Sequence, residues 1–353
     1  MTIIHLNSSL AGGGAEQMVL QLSKKSKSSM RTVVISISSA NALEEKFKLN
    51  DIEYHFLNIN SFRNTTLLSG IKKLHAIIKD LPDPILHCHQ YHGCVLGVMY
   101  KVFYKNMPMV FTLHSSTVDS KSRRLILYLT KVFRKKDIIF SENTSQWFLK
   151  NSAIIPNGID FSEHENNNPR VYNSSEPFRF LYLGRLSPEK NPFHMIEVTK
   201  RLLNKGLTNF VIDVVGDGYL KEKFIKEIEA DDLGSHIVLH GFQSDIKPFM
   251  DRSHCLVLMS IREGLPVVII EAAANKLPII STAVGSIPDF LNDSNAFVTD
   301  LDNYDKTMMH VIQNYNQAID RSNKLYSEIK SDFSIDNVYE RHLELYRSVM
   351  KSK

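Results

Sequence analysis

Along the first half of the chain, short apolar runs alternate with longer amphipathic stretches. The runs at 2–7, 31–37, 84–89, 108–113 and 137–141 read as strands, and segments such as 15–26 and 93–104 between them read as helices. Such alternation predicts a parallel sheet with helices on both faces. The pattern then lapses into a polar stretch from Ser162 to Pro169 that continues through Asn173-Ser174-Ser175-Glu176-Pro177, the best linker in the chain. It restarts at Phe178-Arg179-Phe180-Leu181-Tyr182-Leu183 and repeats at 209–215, 236–240, 254–259 and 278–281. Two doubly wound α/β domains are expected, over 1–168 and 169–334, followed by a helix over about 335–353. Ligands should sit in a cleft at the carboxyl ends of the strands.

Composition narrows this picture. A length of 353 residues suits two domains, and 43% hydrophobic with 23% charged residues describes a folded chain with a sizeable core. No apolar run reaches the roughly eighteen residues of a spanning helix. The N-terminus enters a strand directly at Thr2-Ile3-Ile4-His5-Leu6 without a signal-peptide pattern. Three cysteines argue against a disulfide framework and for a reducing compartment, so a cytoplasmic location is expected. A net charge of +4 without aromatic stacking motifs argues against nucleic acid as a partner.

The positive charge is unevenly placed. Residues 121–136 carry seven basic side chains and no acidic one. On a helical wheel Leu125, Ile126, Leu129, Val132 and Phe133 share one side, while Arg123, Arg124, Lys131, Arg134 and Lys135 crowd the other. Two roles are compatible: packing on its own domain, and meeting anionic lipid through the basic face.

Candidate chemistry centres on Glu263-Gly264-Leu265-Pro266-Val267-Val268-Ile269-Ile270-Glu271. The apolar run Cys255–Met259 reads as a strand before it, and Ala272-Ala273-Ala274 are good helix formers after it. Glu263 then lies in the loop and Glu271 about two turns into the helix, with Pro266 in the first turn. A carboxylate and free backbone N–H groups at a helix mouth suit an anion or a sugar. Arg185 and Lys190 follow the strand ending at Leu183-Gly184, in a loop that opens a helix near Pro192. Two cations there suit a diphosphate leaving group, whose charge grows as its bond breaks. Gly12-Gly13-Gly14 sits between a strand and a helix, where glycines let backbone approach a ligand. Position 17 is Gln, so this is not the dinucleotide fingerprint, and no Walker A sequence is present.

The framed glutamates match the Glu, seven residues, Glu signature of retaining family 4 glycosyltransferases. Further pieces occur in that family's order: Gly12-Gly13-Gly14-Ala15-Glu16, Phe111-Thr112-Leu113-His114, Pro156-Asn157-Gly158-Ile159-Asp160, Leu183-Gly184-Arg185-Leu186-Ser187-Pro188-Glu189-Lys190-Asn191, Val215-Gly216-Asp217-Gly218, His240-Gly241-Phe242 and Pro278-Ile279-Ile280-Ser281-Thr282. Each is weak alone, but together they span nearly the whole chain. The chain therefore resembles a group 1 glycosyltransferase of the GT-B fold.

That resemblance implies two Rossmann-like domains facing a central cleft, an N-terminal one for the acceptor and a C-terminal one for the donor. The last helix would cross back onto the first domain. It implies transfer of a sugar, with retention, from a nucleoside diphosphate sugar (a UDP-sugar is favoured) to a glycan or lipid-linked saccharide in surface polysaccharide synthesis. Arg185 and Lys190 would contact the donor phosphates, Glu263 the hydroxyls of the transferred sugar, and Glu271 the ribose. A charge-assisted bond of that kind contributes on the order of 1.5–3 kcal/mol. Gly264 and Leu265 would offer N–H groups to the phosphates, and Gly216, Gly218, Phe242 and Gln243 would line the base pocket. His114 would lie beside the transferred sugar, Gly13 and Gly14 near phosphates or acceptor, and His89 or His92 on the acceptor side. Asn275 stands where the family usually has Gly, and Asn tolerates left-handed backbone.

His87-Cys88-His89 is dense in metal-ligand types and places His87 and His89 on one strand face, yet no second ligand cluster has zinc-like spacing. Asp300-Leu301-Asp302, before a helix, reads as a cap. No metal and no other cofactor is expected, since Arg185 and Lys190 can neutralise a diphosphate. A lipid-linked acceptor would place the enzyme peripherally at the inner face of the cell membrane. Two rival readings share the fold: a nucleotide-sugar epimerase, and a non-catalytic scaffold subunit.

Overall fold

The computed structural model describes residues 1–27, 29–114, 118, 120–142 and 145–351. The chain divides into two compact units, Met1–Asp160 with Asp332–Lys353, and Phe161–Ser331.

The first unit is built on seven strands: β1 (Thr2–Asn7), β2 (Arg31–Ser36), β3 (Glu53–Phe56), β4 (Pro84–His89), β5 (Met109–Thr112), β6 (Lys136–Ile139) and β7 (Ser152–Ile154). All pairings are parallel, in the order β3-β2-β1-β4-β5-β6-β7. Alternate side chains sort to opposite faces, as strand geometry requires. Ile4, Leu6, Val33, Leu86 and Phe111 join one core cluster, whereas Ile3, Ile85, Val110 and Ile138 join another with Met18 and Leu22. Val338, Leu345 and Val349 of the helix Ile335–Lys351 complete that second cluster, so the chain's last helix packs on this unit against the helix Gly14–Ser26. Edge strands β3 and β7 escaped the sequence pattern because they are short and mostly half-buried, without a continuous apolar run.

The second unit carries β8 (Phe178–Leu183), β9 (Phe210–Val215), β10 (Ile237–Gly241), β11 (Cys255–Leu258), β12 (Ile279–Ser281) and β13 (Phe297–Val298), in the order β10-β9-β8-β11-β12-β13. Counted within each unit, both sheets share the doubly wound order 3-2-1-4-5-6, to which the first adds β7 beyond β6. The second core is rich in aromatics: Phe178, Phe180, Phe210, Tyr182 and Tyr304 are buried together. The units change over at Asp160, eight residues before the expected boundary at 168. Buried Phe161 packs on Tyr326 at 5.9 Å, and the His164 carbonyl accepts from Asn275, so the start of the expected linker is held by the second unit.

Candidate functional site

In the second unit, the strand order reverses between β8 and β11, and this is where ligands bind in such sheets. The segment after β8 carries Arg185 and Lys190; the one after β11 carries Ser260, Glu263, Gly264 and Leu265. The structure brings them together. Lys190 Nζ lies 2.5 Å from Glu263 Oε1, and Ser260 Oγ donates to the same oxygen at 2.7 Å. Glu263 is 7% exposed, so its charge is held by these two partners rather than by water. An ammonium has three donors, and Glu263 takes one of the three on Lys190. Arg185 is exposed on the same loop. Burial, and after it the negative charge of Glu263, holds the Tyr182 phenol well above its ordinary value; its hydroxyl donates to the Arg185 carbonyl at 3.1 Å.

Backbone contacts fix these loops to one another. The N–H groups of Ile261 and Arg262 donate to the Glu189 carbonyl at 2.9 and 3.3 Å, tying the Lys190 loop to the Glu263 loop. Ser286 Oγ and N–H both donate to the Gly264 carbonyl, at 2.7 and 3.2 Å. Gly216, after β9, has φ +147°, and a Cβ there would stand 1.9 Å from the Gly184 carbonyl oxygen. A Cβ on Gly218 would meet the Leu186 carbonyl at 2.3 Å. Only glycine lets these loops nest. Gly216 in turn donates to the Gly241 carbonyl at 2.8 Å; beyond it Phe242 is half exposed, and Gln243 Nε2 donates to the His240 carbonyl at 2.8 Å.

Three local expectations are corrected. Pro266 is the N-cap of the helix Val267–Ala274, not part of its first turn, and Glu271 is its fifth residue, little more than one turn in. Asn275 is not left-handed. It has φ −80° and is buried, with Nδ2 donating to the His164 carbonyl at 2.8 Å and Asp251 Oδ1 at 2.7 Å, and its side-chain oxygen accepting from Arg170. Lys276 takes the positive φ, +53°, instead. Asp300 accepts from the Asn303 backbone N–H at 2.8 Å, so it holds the turn before the helix Tyr304–Gln313, whose N-cap is Asn303 and not Asp300.

The first unit fills the equivalent place, between β1 and β4, with histidines. Gly12 (φ +94°) and Gly13 lead into the helix Gly14–Ser26, with Gly13 as its N-cap. β4 passes into the helix Gln90–Phe103 with no intervening loop, and Gln90 takes φ +62° to make the turn. His5 and His87 are register partners on β1 and β4. His5 Nδ1 is 2.9 Å from His89 Nε2, and His89 Nδ1 is 2.8 Å from His114 Nε2. His87 bonds the Tyr346 hydroxyl at 2.7 Å and the Thr112 hydroxyl at 2.6 Å. A neutral imidazole has one N–H, so His89 must donate in one of its two bonds and accept in the other. The tautomers of His5, His89 and His114 are therefore set as one unit.

Burial drives the pKa values of this cluster down: to about 3 for His5 and His114, about 4 for His342, and well below the ordinary value for His87 and His89. Nearby imidazoles lower all but His342 further. His89 is 1% exposed with both nitrogens engaged, so it has none to offer an acceptor, contrary to its expected acceptor-side place. His92 is less buried, beside Phe62 at 5.7 Å. His5, His87 and His89 bring ring nitrogens within 4.8 Å of one another, but an ion there would have to displace the bonds both nitrogens of His87 and of His89 already make. The sequence did not point to His5, His342 or Tyr346. Only the register between β1 and β4 and the packing of the last helix bring them in.

Comparison with known proteins gives the family of the chain. Residues 12–163 match the family described as Glycosyltransferase Family 4, and residues 164–328 match Glycosyl transferases group 1. The chain is 25% identical over 323 residues, 82% of its length and 83% of the relative's, to an Escherichia coli UDP-Gal:alpha-D-GlcNAc-diphosphoundecaprenol alpha-1,3-galactosyltransferase. It is 24% identical over 290 residues, 77% of its length and 76% of the relative's, to a Campylobacter jejuni alpha-1,4-N-acetyl-D-galactosaminyltransferase named for an undecaprenol-linked glycan. An Anabaena protein, HepE, solved in complex with UDP and glucose, superposes with TM-score 0.85 at 17% identity, over 99% of this chain and 100% of that one. The likeness to HepE concerns the fold.

Proposed function

Because this chain belongs to the group 1, family 4 glycosyltransferases and has their GT-B fold, we propose that it transfers a sugar from UDP-sugar, with retention, to a lipid-linked saccharide in surface polysaccharide synthesis. The observation that carries the donor half is the pair of half-buried Lys190 and buried Glu263 at the strand-order reversal of the second unit. Lys190 keeps donors for a diphosphate while steering Glu263, and exposed Arg185 adds a second cation. As the glycosidic bond breaks, negative charge grows on the phosphate, and these cations stabilise it without reorganising. They supply the positive charge, and no metal is required. Glu263 accepts hydrogen bonds from hydroxyls of the transferred sugar, and Glu271 from the ribose. Gly264 and Leu265 turn backbone N–H groups toward the phosphates. Gly216, Gly218, Phe242 and Gln243 border the base.

No second carboxylate is paired with Glu263 as a nucleophile among the described residues, so the acceptor hydroxyl attacks from the face the phosphate leaves. The departing phosphate takes its proton. The acceptor assignment rests on the relatives from Escherichia coli and Campylobacter jejuni, whose names place them on undecaprenol-linked glycans. On the first unit, His114, held neutral, serves as a hydrogen-bonding contact for the sugar and carries no charge of its own, with Gly13 and Gly14 near the phosphates or acceptor and His92 on the acceptor side.

A thermal-shift series with UDP, GDP, ADP and CMP tests this. At about a hundred times its dissociation constant a ligand adds roughly 2.7 kcal/mol, a shift of a few degrees. UDP should give it and Lys190→Ala should abolish it. A shift with another nucleotide would change the donor, and an undiminished shift in Lys190→Ala would refute the phosphate site.

A further inference from the structure

The helix Lys121–Leu129 and the turn Thr130–Phe133 face the opposite way from the wheel's simplest reading. Within the helix, Leu127 alone is fully buried; after it, Phe133 packs partly on the core. Leu125 (52% exposed), Leu129 (62%) and Val132 (77%), which the wheel sets on one apolar side, project outward. Trp147 (57%) joins them, its ring 5.3 Å from that of exposed Tyr128. Lys131 Nζ donates to the Trp147 carbonyl at 2.9 Å and lies 5.2 Å from the Tyr128 ring. Lys101 donates to the Phe133 carbonyl at 2.7 Å, which sets the end of the helix Gln90–Phe103, with exposed Val102 and Phe103, beside this turn. Scattered exposed apolar residues need no explanation, but a contiguous set marks an interaction site.

The surrounding charge says what covers it. Lys121, Arg123 and Lys135 are exposed, and the segment holds no acidic residue. Arg124, Lys131 and Lys136 are half-buried, and Arg134 is fully buried against Asp137 at 3.0 Å. Apolar side chains at the centre, a Trp and a Tyr at the same level, and lysines and arginines around them are the makeup of an element that lies in a membrane interface. No helix among the described residues is long and apolar enough to cross a bilayer, so the contact would be peripheral.

We propose that Leu125, Leu129, Val132 and Trp147 insert into the interfacial region of an anionic lipid bilayer, while Lys121, Arg123 and Lys135 bind its headgroups. Apolar insertion, rather than the basic face alone, is what holds the protein there. This deepens the reading of a lipid-linked acceptor and rests on it.

Trp147 is the sole tryptophan, so its fluorescence reports the contact directly. The full chain is titrated with vesicles of phosphatidylcholine, alone or with a quarter phosphatidylglycerol, and with acyl-brominated versions of each. A blue shift and quenching by brominated acyl chains are expected with the anionic vesicles, and much less with the neutral ones. Leu129→Gln with Val132→Gln should weaken binding about tenfold or more at equal charge. Lys121→Gln with Lys135→Gln should remove the preference for anionic lipid. Binding without a blue shift would reduce the contact to electrostatics and overturn insertion. No binding, or a dimer whose self-association the Gln pair abolishes, would overturn the membrane partner. The UDP shift, measured on the same samples without vesicles, reads the donor site separately, so either reading can fail alone.

Discussion

Two sheets of one strand order meet the same problem at their carboxyl edges and solve it with opposite chemistry. Where β1 and β4 diverge, the first unit buries His5, His87 and His89 as neutral imidazoles bonded to one another, to His114 and to hydroxyls. Where β8 and β11 diverge, the second unit holds a charged pair, Lys190 and Glu263, with a serine on the carboxylate. Neutral rings satisfy one another and keep a rigid floor without fixed charge. A salt bridge at a loop mouth keeps charge ready for an anionic ligand. The fold is shared, and the ligand class is set by what the edge carries.

The largest expected difference is acid sensitivity. Six described histidines of the first unit have folded pKa values held below the ordinary 6.5, chiefly by burial, against His254 alone, at about 4, among those described in the second. A depressed folded pKa stabilises fully above 6.5 and loses that contribution as pH falls below it. The loss approaches roughly 1.4 kcal/mol per pH unit for each histidine. Asp137, raised to about 6 by burial, works the other way over part of the range, one group against six. Amide exchange followed by mass spectrometry between pH 7 and 5.5 should show Met1–Asp160 opening well before Phe161–Ser331. Equal loss in both would break the comparison.

Turnover should depend on the charged pair. Removing a preorganised donor costs about 100- to 1,000-fold in kcat, so Lys190→Ala should fall in that range in a sugar-transfer assay, and Glu263→Ala, which removes the acceptor that steers Lys190, should also lower turnover severely. His5→Gln, which disturbs only the tautomer of His114 at a distance, should cost less. A reversed order would move the chemistry to the first unit.

Smaller effects come from the glycines. Gly216→Ala forces a Cβ into the Gly184 carbonyl at a positive φ and should destabilise the second unit by more than about 2 kcal/mol in urea unfolding. Gly70→Ala, in the first unit, meets the buried Ile59 side chain at 2.3 Å rather than backbone and keeps an ordinary φ, so it should cost less, about 1–2 kcal/mol.

Much of the second unit's site was legible in the sequence because its residues sit on loops directly after strong apolar strands, where spacing fixes position. Arg185, Lys190 and Glu263 needed only strand ends to be placed. Ser260 escaped notice, since a serine after a strand carries no signal until its partner is known. The first unit was harder to read. His5 and His87 lie 82 positions apart and meet only through the parallel register of β1 and β4. His342 and Tyr346 arrive from the last helix, and no local pattern announces them. Likewise a wheel shows that apolar residues share a side of 121–136, but only packing shows that Leu127 faces the core while Leu129 and Val132 do not.

Hydrogen exchange with and without UDP, in the wild-type protein and Lys190→Ala, tests most directly whether the charged edge of the second unit is the donor site. The account predicts slowed exchange at 184–191, 216–218 and 263–267 in the wild type, and none of it in the variant. Protection confined to the first unit, or equal protection in Lys190→Ala, would contradict it.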